Sequence, residues 1–163
     1  MKNWQAGLLA AGFIALTASG AGAQTLRVGL QEDPDLLDPD LARSFVGRIV
    51  FTSLCDKLVD LGPDLDFVPQ LATEWSWSPD NKALTLKLRQ GVTFHDGEPF
   101  NAEAVKFNIE RSLTLPGSTR RSEIAAVTSV DVVDPYTVRL NLSEPFAPLL
   151  AALSDRAGMM ISP

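Results

Sequence analysis

Between Pro69 and Arg111 the apolar residues change from a period of two to helical spacing, and any fold of this chain has to accommodate both. Trp75 and Trp77 alternate with Glu74, Ser76 and Ser78, the pattern of a half-buried strand. Pro79-Asp80-Asn81 supplies turn chemistry. Leu84, Leu86 and Leu88 then alternate with Thr85, Lys87 and Arg89, which makes a second strand and, across the short turn, a hairpin. The tryptophans and leucines on its apolar side require a core beneath it. Gly91 and Gly97 bracket a loop that contains Val92, Phe94, His95 and Asp96, and Pro99 ends it. Asn101 is a good helix N-cap, and Glu103 is placed to meet the positive end of the helix dipole. Ala102, Val105, Ile109 and Leu113 follow at helical spacing. The predicted unit is hairpin, glycine-braced loop, helix.

The rest of the chain supplies further elements. Leu26 to Leu30 reads as a short strand. A helix is predicted from about Arg43 to Cys55, with Leu41, Phe45, Ile49, Val50, Leu54 and Leu58 along one face. Gly62-Pro63-Asp64 is a turn, and Phe67-Val68 a short extended piece. Leu115 to Ser118 ends the long helix, the polar run Thr119 to Glu123 reads as a solvated loop, and Ile124 to Val127 as one helical turn. Val130 and Val132, then Val138, Leu140 and Leu142, alternate across the turn Asp134-Pro135-Tyr136 and predict a second hairpin. Pro148 to Leu153 is a short apolar helix, and Ala157 to Pro163 the start of a strand. The fold class is mixed α/β.

At 163 residues the chain holds about one domain. The net charge is −6 and no basic stretch stands out, which argues against a nucleic-acid partner. Cys55 is the only cysteine, so no internal disulfide forms and no zinc-ligand spacing occurs. Lys2 opens a leader, Gly7 to Ala18 is an apolar run too short to span a bilayer comfortably, and Ala21-Gly22-Ala23 is the small-x-small pattern of a cleavage site. Residues 1–23 are therefore read as a signal peptide cleaved after Ala23, and 24–163 as the exported part, periplasmic and without a lipid anchor.

Several residue types invite a chemical reading. Glu32, Asp33, Asp35, Asp38 and Asp40 cluster as carboxylates do around calcium or magnesium, but the glycine and closing glutamate of an EF-hand loop are missing, and a solvated loop with Asx turns accounts for them. Cys55 as a nucleophile needs a paired base. His95 is the only histidine, nothing in the sequence links it to Cys55, and Cys55 reads better as a small buried hydrophobe. A secreted hydrolase is a remote alternative, because no Gly-x-Ser-x-Gly elbow occurs. No enzyme, no metal and no cofactor is expected.

The run Pro-x-Leu-Ala-x-x-Trp from Pro69, followed by Leu-Arg-x-Gly-Val-x-Phe-His-Asp-Gly-x-Pro-Phe-x-Ala-Glu-x-Val from Leu88, resembles the peptide/nickel group of extracellular solute-binding proteins, the receptors of ATP-binding-cassette importers. Leu37-Asp38-Pro39 and the run from Asp134 to Leu142 with Pro145-Phe146 are similar to the same family. The resemblance implies the opening part of the first lobe of a two-lobed periplasmic binding protein (type II-like, cluster C), incomplete at Pro163, with the rest of that lobe and the second lobe missing. It implies a monomer that captures a small peptide or peptide-like solute by hinge closure and delivers it to membrane permease subunits. A metal chelate, an opine or a sugar stays open as the solute. In the family the segment after Leu-Asp-Pro borders the cleft, which makes Arg43, Ser44 and Phe45 ligand-binding candidates. Arg43 is of the type that pairs with a carboxylate, although an exposed surface arginine explains it equally. Trp75, Phe94, His95, Asp96 and Gly97 are implied to be structural, with His95 tying its loop to the lobe.

Overall fold

The computed structural model describes residues 25–163; the signal peptide expected over 1–23 lies outside them. Strand β1 (Val59–Leu61) pairs antiparallel with β2 (Phe67–Pro69) in a small two-stranded sheet. The main sheet has four strands, β3 (Ala72–Trp77), β4 (Ala83–Leu88), β5 (Val127–Asp134) and β6 (Thr137–Leu142), in the order β3-β4-β6-β5, antiparallel throughout. Both predicted hairpins form. Their union through β4 and β6, with Leu86 opposite Val138 and Leu84 opposite Leu140, makes them one sheet.

One face of that sheet is apolar because the alternation in all four strands is in phase. Leu84, Leu86, Leu88, Val130, Val138, Leu140 and Leu142 are buried. Each fully buried leucine contributes about 1.5–3 kcal/mol. They pack against Ala102, Val105 and Ile109 of helix α2 (Ala102–Thr114). The Asn101 side chain caps α2 by accepting from the Ala104 N–H at 3.0 Å. The other sheet face is polar, with Ser76, Thr85, Arg139 and Asp131 in register across the strands.

Elsewhere the structure departs from the sequence reading. Leu26 and Val28 are exposed, and no strand forms at 26–30, since no neighbouring strand pairs with them among the described residues. Helix α1 (Phe45–Phe51) is shorter than predicted and buries Val46, Gly47 and Phe51, while Phe45, Ile49 and Leu54 face outward. Apolar residues line both sides of this helix, so periodicity alone selects the wrong face. Ile124 is fully buried in a turn rather than a helix. Helix α3 (Leu149–Leu153) forms as predicted and leads to a 3-10 turn, Arg156–Gly158, instead of a strand. Met159 makes only an isolated bridge to Lys57.

The acidic stretch is not simply solvated. Asp40 is 5% exposed, and it and Asp38 turn inward to Arg111 on α2. Cys55 is half-buried, packed beside Ala42, Phe51 and Met159. Burial pushes its thiol up, and the Asp56 and Asp38 carboxylates add to that, which keeps it protonated. No helix among the described residues is long and apolar enough to cross a membrane.

Candidate functional site

The segment after Asp38 is irregular chain that hands over to α1 at Ser44, and contacts from three directions fix its shape. Asp35 lies on one side: its carboxylate accepts from the Arg43 N–H at 2.8 Å and the Ser44 N–H at 3.3 Å. The Arg43 N–H holds the Asp35 carboxyl down to about 2 against desolvation, the next largest effect, with help from the Ser44 hydroxyl and N–H. On a second side the Ser44 Oγ accepts from the Gly47 N–H at 2.9 Å and caps α1. From beneath, the Arg156 guanidinium donates to the Ala42 carbonyl at 3.0 Å and the Ser44 carbonyl at 3.4 Å.

Of the three cleft candidates, Arg43 and Phe45 lie on the surface, with Phe45 69% exposed. Ser44 is half-buried and its hydroxyl is engaged in the cap. One turn further along α1, Ile49 and Arg48 are exposed as well. The surface therefore offers an aromatic ring and an aliphatic side chain on one helix face, with the guanidinium groups of Arg43 and Arg48 nearby. Arg48 is partly neutralised by Asp155 at 2.9 Å.

Behind this surface lies a group of cations that the sequence reading missed. Arg120, expected in a solvated loop, is 5% exposed and pairs with Glu123 at 2.5 Å. Its Nε and Nη2 also donate to the Thr119 hydroxyl. Burial pushes the Arg156 guanidinium down, and the nearby charge of Arg120 pushes it further. The Arg156 Nε is shut off from solvent without a hydrogen-bond partner. An arginine stays charged in such a place, and the carboxylates of Glu123 and Asp155 lie near enough to Arg156 to offset part of that charge. Neither Arg120 nor Arg156 stands in a pattern that marks it beforehand: each has a polar or small neighbour on both sides, which reads as surface.

The Phe-His-Asp-Gly loop is placed differently from expectation. It is closed by main-chain bonds from the Phe94 N–H to the Glu98 carbonyl (2.8 Å) and from the Gly97 N–H to the Phe94 carbonyl (3.0 Å). Gly97, at φ 92°, takes the left-handed conformation that this turn requires. Phe94 packs edge-to-face on buried Phe100, with ring centroids 6.1 Å apart, and Trp75 packs half-buried on the core. His95 makes none of the bonds that hold the loop and stands exposed at its tip. Asp96 is engaged within the loop instead, where its carboxylate accepts from the Glu98 N–H at 3.1 Å. Its carboxylate is held below the usual range by the Ser162 hydroxyl and then the Glu98 N–H.

A cavity of about 200 Å³ is lined by Cys55, Asp56, Leu71, Phe94, His95 and Met160, so the fold brings together the cysteine and histidine that the sequence left unlinked. Among the described residues no three His, Cys, Asp or Glu side chains converge as a metal site would require.

Four matches with known proteins carry weight. Residues 66–162 match the profile of the bacterial extracellular solute-binding proteins, family 5 middle region. The glutathione-binding protein GsiB of Escherichia coli (strain K12) is 33% identical over 162 residues, which cover 98% of this chain and 32% of GsiB. Among solved structures, NikA from Brucella suis in complex with Fe(III)-EDTA is 36% identical with a TM-score of 0.71, over 78% of this chain and 26% of NikA. AgaA from A. tumefaciens R10 in complex with agropinic acid is 32% identical with a TM-score of 0.74, over 79% of this chain and 26% of AgaA. The chain spans about a third of the length of the curated relatives it matches.

Proposed function

This chain belongs to the bacterial extracellular solute-binding proteins, family 5, and on that premise we propose that it forms part of the receptor of an ABC-type importer. The receptor captures a peptide or peptide-like solute outside the cytoplasmic membrane and passes it to the membrane permease subunits. It reaches the periplasm through the leader 1–23, cleaved after Ala23, and works as a monomer that carries no catalysis. Residues 24–163 supply the opening part of the first lobe.

The observation that carries this reading is the surface at Arg43–Phe45. Exposed Phe45 and Ile49 stand beside the Arg43 and Arg48 guanidinium groups, and behind them lie half-buried Arg156 and buried Arg120, the latter paired with Glu123. Such a surface suits a solute with an apolar body and at least one carboxylate. The solutes in the names of the related proteins support it. Glutathione is a peptide with free carboxylates, EDTA is a polycarboxylate, and agropinic acid is an acid by name. We place Arg43 and Phe45 against the solute. Ser44 acts through its cap and main chain.

Titration calorimetry on the full-length protein tests this. Glutathione and tri-alanine are expected to bind at one site, and their amidated or esterified forms much more weakly. Binding of Fe(III)-EDTA or agropinic acid with no response to either peptide would replace the peptide reading with a chelate or opine receptor. The related NikA and AgaA favour that second reading. Absence of binding by all four would overturn both.

A further inference from the structure

The stretch from Leu37 to Ser44 has no regular secondary structure beyond a single turn, yet it carries the candidate contact residues at its end. What holds it is a set of side chains that belong to α2 and the loop after it. The Arg111 guanidinium reaches back across the fold and grips the Asp38 carboxylate with two nitrogens, at 2.6 and 3.2 Å. The same guanidinium pairs with the Asp40 carboxylate. The other Asp40 oxygen accepts from the Ser112 hydroxyl at 2.6 Å. The Thr119 N–H and hydroxyl both donate to the Asp40 carbonyl, at 2.8 and 2.9 Å. The Asp38 carbonyl in turn accepts from the Ala42 N–H at 2.9 Å, which closes the turn just before Arg43.

One guanidinium therefore sets the position of two carboxylates that are two residues apart on the strap. A planar fork does this; a single ammonium can satisfy only one partner well. Burial works against ionisation of Asp38, and the Arg111 guanidinium overrides it and leaves the carboxyl below the usual carboxylate range. The clamp sits between Asp35 and the Arg43 N–H that Asp35 holds, and just before the Ala42 and Ser44 carbonyls that Arg156 holds, so a shift of the strap moves those main-chain atoms with it.

We propose that Arg111 is a positioning residue for solute capture. Through Asp38 and Asp40 it fixes the strap that presents Arg43 and Phe45, without touching the solute itself. This inference rests on the receptor reading above, and its test has an arm that needs no solute.

The test uses the full-length protein with Arg111→Lys, which keeps the charge and loses the fork, and Asp38→Asn, which keeps the shape and loses the charge. Hydrogen exchange of the Ala42, Arg43, Ser44 and Thr119 amides is followed with that of Leu86 and Leu140 in the core sheet. Expected in both variants is exchange at least about tenfold faster at the four strap amides and unchanged at the two sheet amides, as in local opening. Glutathione and tri-alanine are the solute probes, measured well below the melting midpoint. Binding about tenfold weaker is expected, by analogy with the loss seen when the outer partner that orients a metal ligand is removed. Arg111→Met is expected to lose more than Arg111→Lys. Strap exchange that matches the wild type overturns the proposal, and so does exchange that accelerates equally in strap and sheet, which would make Arg111 a general stabiliser. Wild-type protein that binds neither probe counts against the peptide reading, and the exchange arm then still decides the role of Arg111.

Discussion

The four-stranded sheet with α2 and the strap from Leu37 to Ser44 lie side by side in one fold and are held by opposite means. The sheet unit is stabilised by apolar side chains on a repeating pattern, with its hydrogen bonds supplied by the strands themselves. The strap has almost no ladder and little apolar burial beyond Ala42. It is kept in place by Asp35, Arg111, Ser112, Thr119 and Arg156, each of which reaches to it from elsewhere. The sheet tolerates small errors because its stability is a sum over many contacts. The strap depends on a few directional groups, so losing one moves the candidate site without unfolding the molecule.

The difference between the two regions is largest in the core. Leu86→Ala empties a fully buried position between β4 and α2 and is expected to cost about 2–5 kcal/mol in denaturant unfolding. Solute affinity at a temperature well below the midpoint should stay within about twofold, because no strap contact is lost. A large drop in affinity with little loss of stability would mean that the two regions are not separable in this way.

Gly158→Ala acts at the other end of the comparison. A Cβ at this position would overlap the Leu153 carbonyl, so either α3 or the 3-10 turn has to move. Overpacking of this kind costs about 1–3 kcal/mol. The same movement drags Arg156 from the Ala42 and Ser44 carbonyls. Both the midpoint and the solute affinity are expected to fall, which separates this variant from Leu86→Ala.

What the sequence disclosed follows the same division. The hairpin β3–β4, the Asn101 cap and strand β6 were legible because periodicity, turn residues and caps are local signals. The joining of the hairpins was not, since nothing in either hairpin names its neighbour. Asp38 and Asp40 read as solvated acids because their partner Arg111 lies some seventy residues away. Arg120 misled for the same reason: its burial depends on Glu123 and Thr119 folding under the strap, and a polar run in sequence carries no trace of that. The face of α1 was misread because Phe45 and Ile49 are apolar and exposed, an arrangement suited to a binding surface and opposed to the burial rule. Only the resemblance to a family pointed to Arg43, Ser44 and Phe45.

Ser44→Ala sharpens the comparison at smaller amplitude. It removes the cap on α1 and is expected to cost about 1 kcal/mol. Asn101→Ala removes the equivalent cap on α2 at a similar cost. The two variants therefore match in stability, measured by urea unfolding, and differ in solute binding: Ser44→Ala weakens it and Asn101→Ala leaves it unchanged. Equal binding in both would deny the strap its special place.

The smallest global effect is expected at Asp35, whose carboxylate is exposed to solvent and whose contribution is screened accordingly. Its carboxyl is held near 2, chiefly by the Arg43 N–H, from an ordinary value of 3.8. A depressed folded value means that the stabilisation is complete above about pH 4 and is lost as pH falls toward 2. The depressed carboxylates of the sheet, Asp80 and Asp134, sit at its two hairpin turns, so the mid-strand amides of Leu86 and Leu140 should be flat over that window while those of Arg43 and Ser44 titrate. Proton–nitrogen NMR between pH 5 and the onset of acid unfolding reads both at once. An Arg43 amide that moves with a midpoint near 4 would show that Asp35 does not hold the strap. An amide still unshifted at pH 3 in the wild type, and displaced at neutral pH in Asp35→Asn, would place that carboxylate among the groups that keep the contact segment in position.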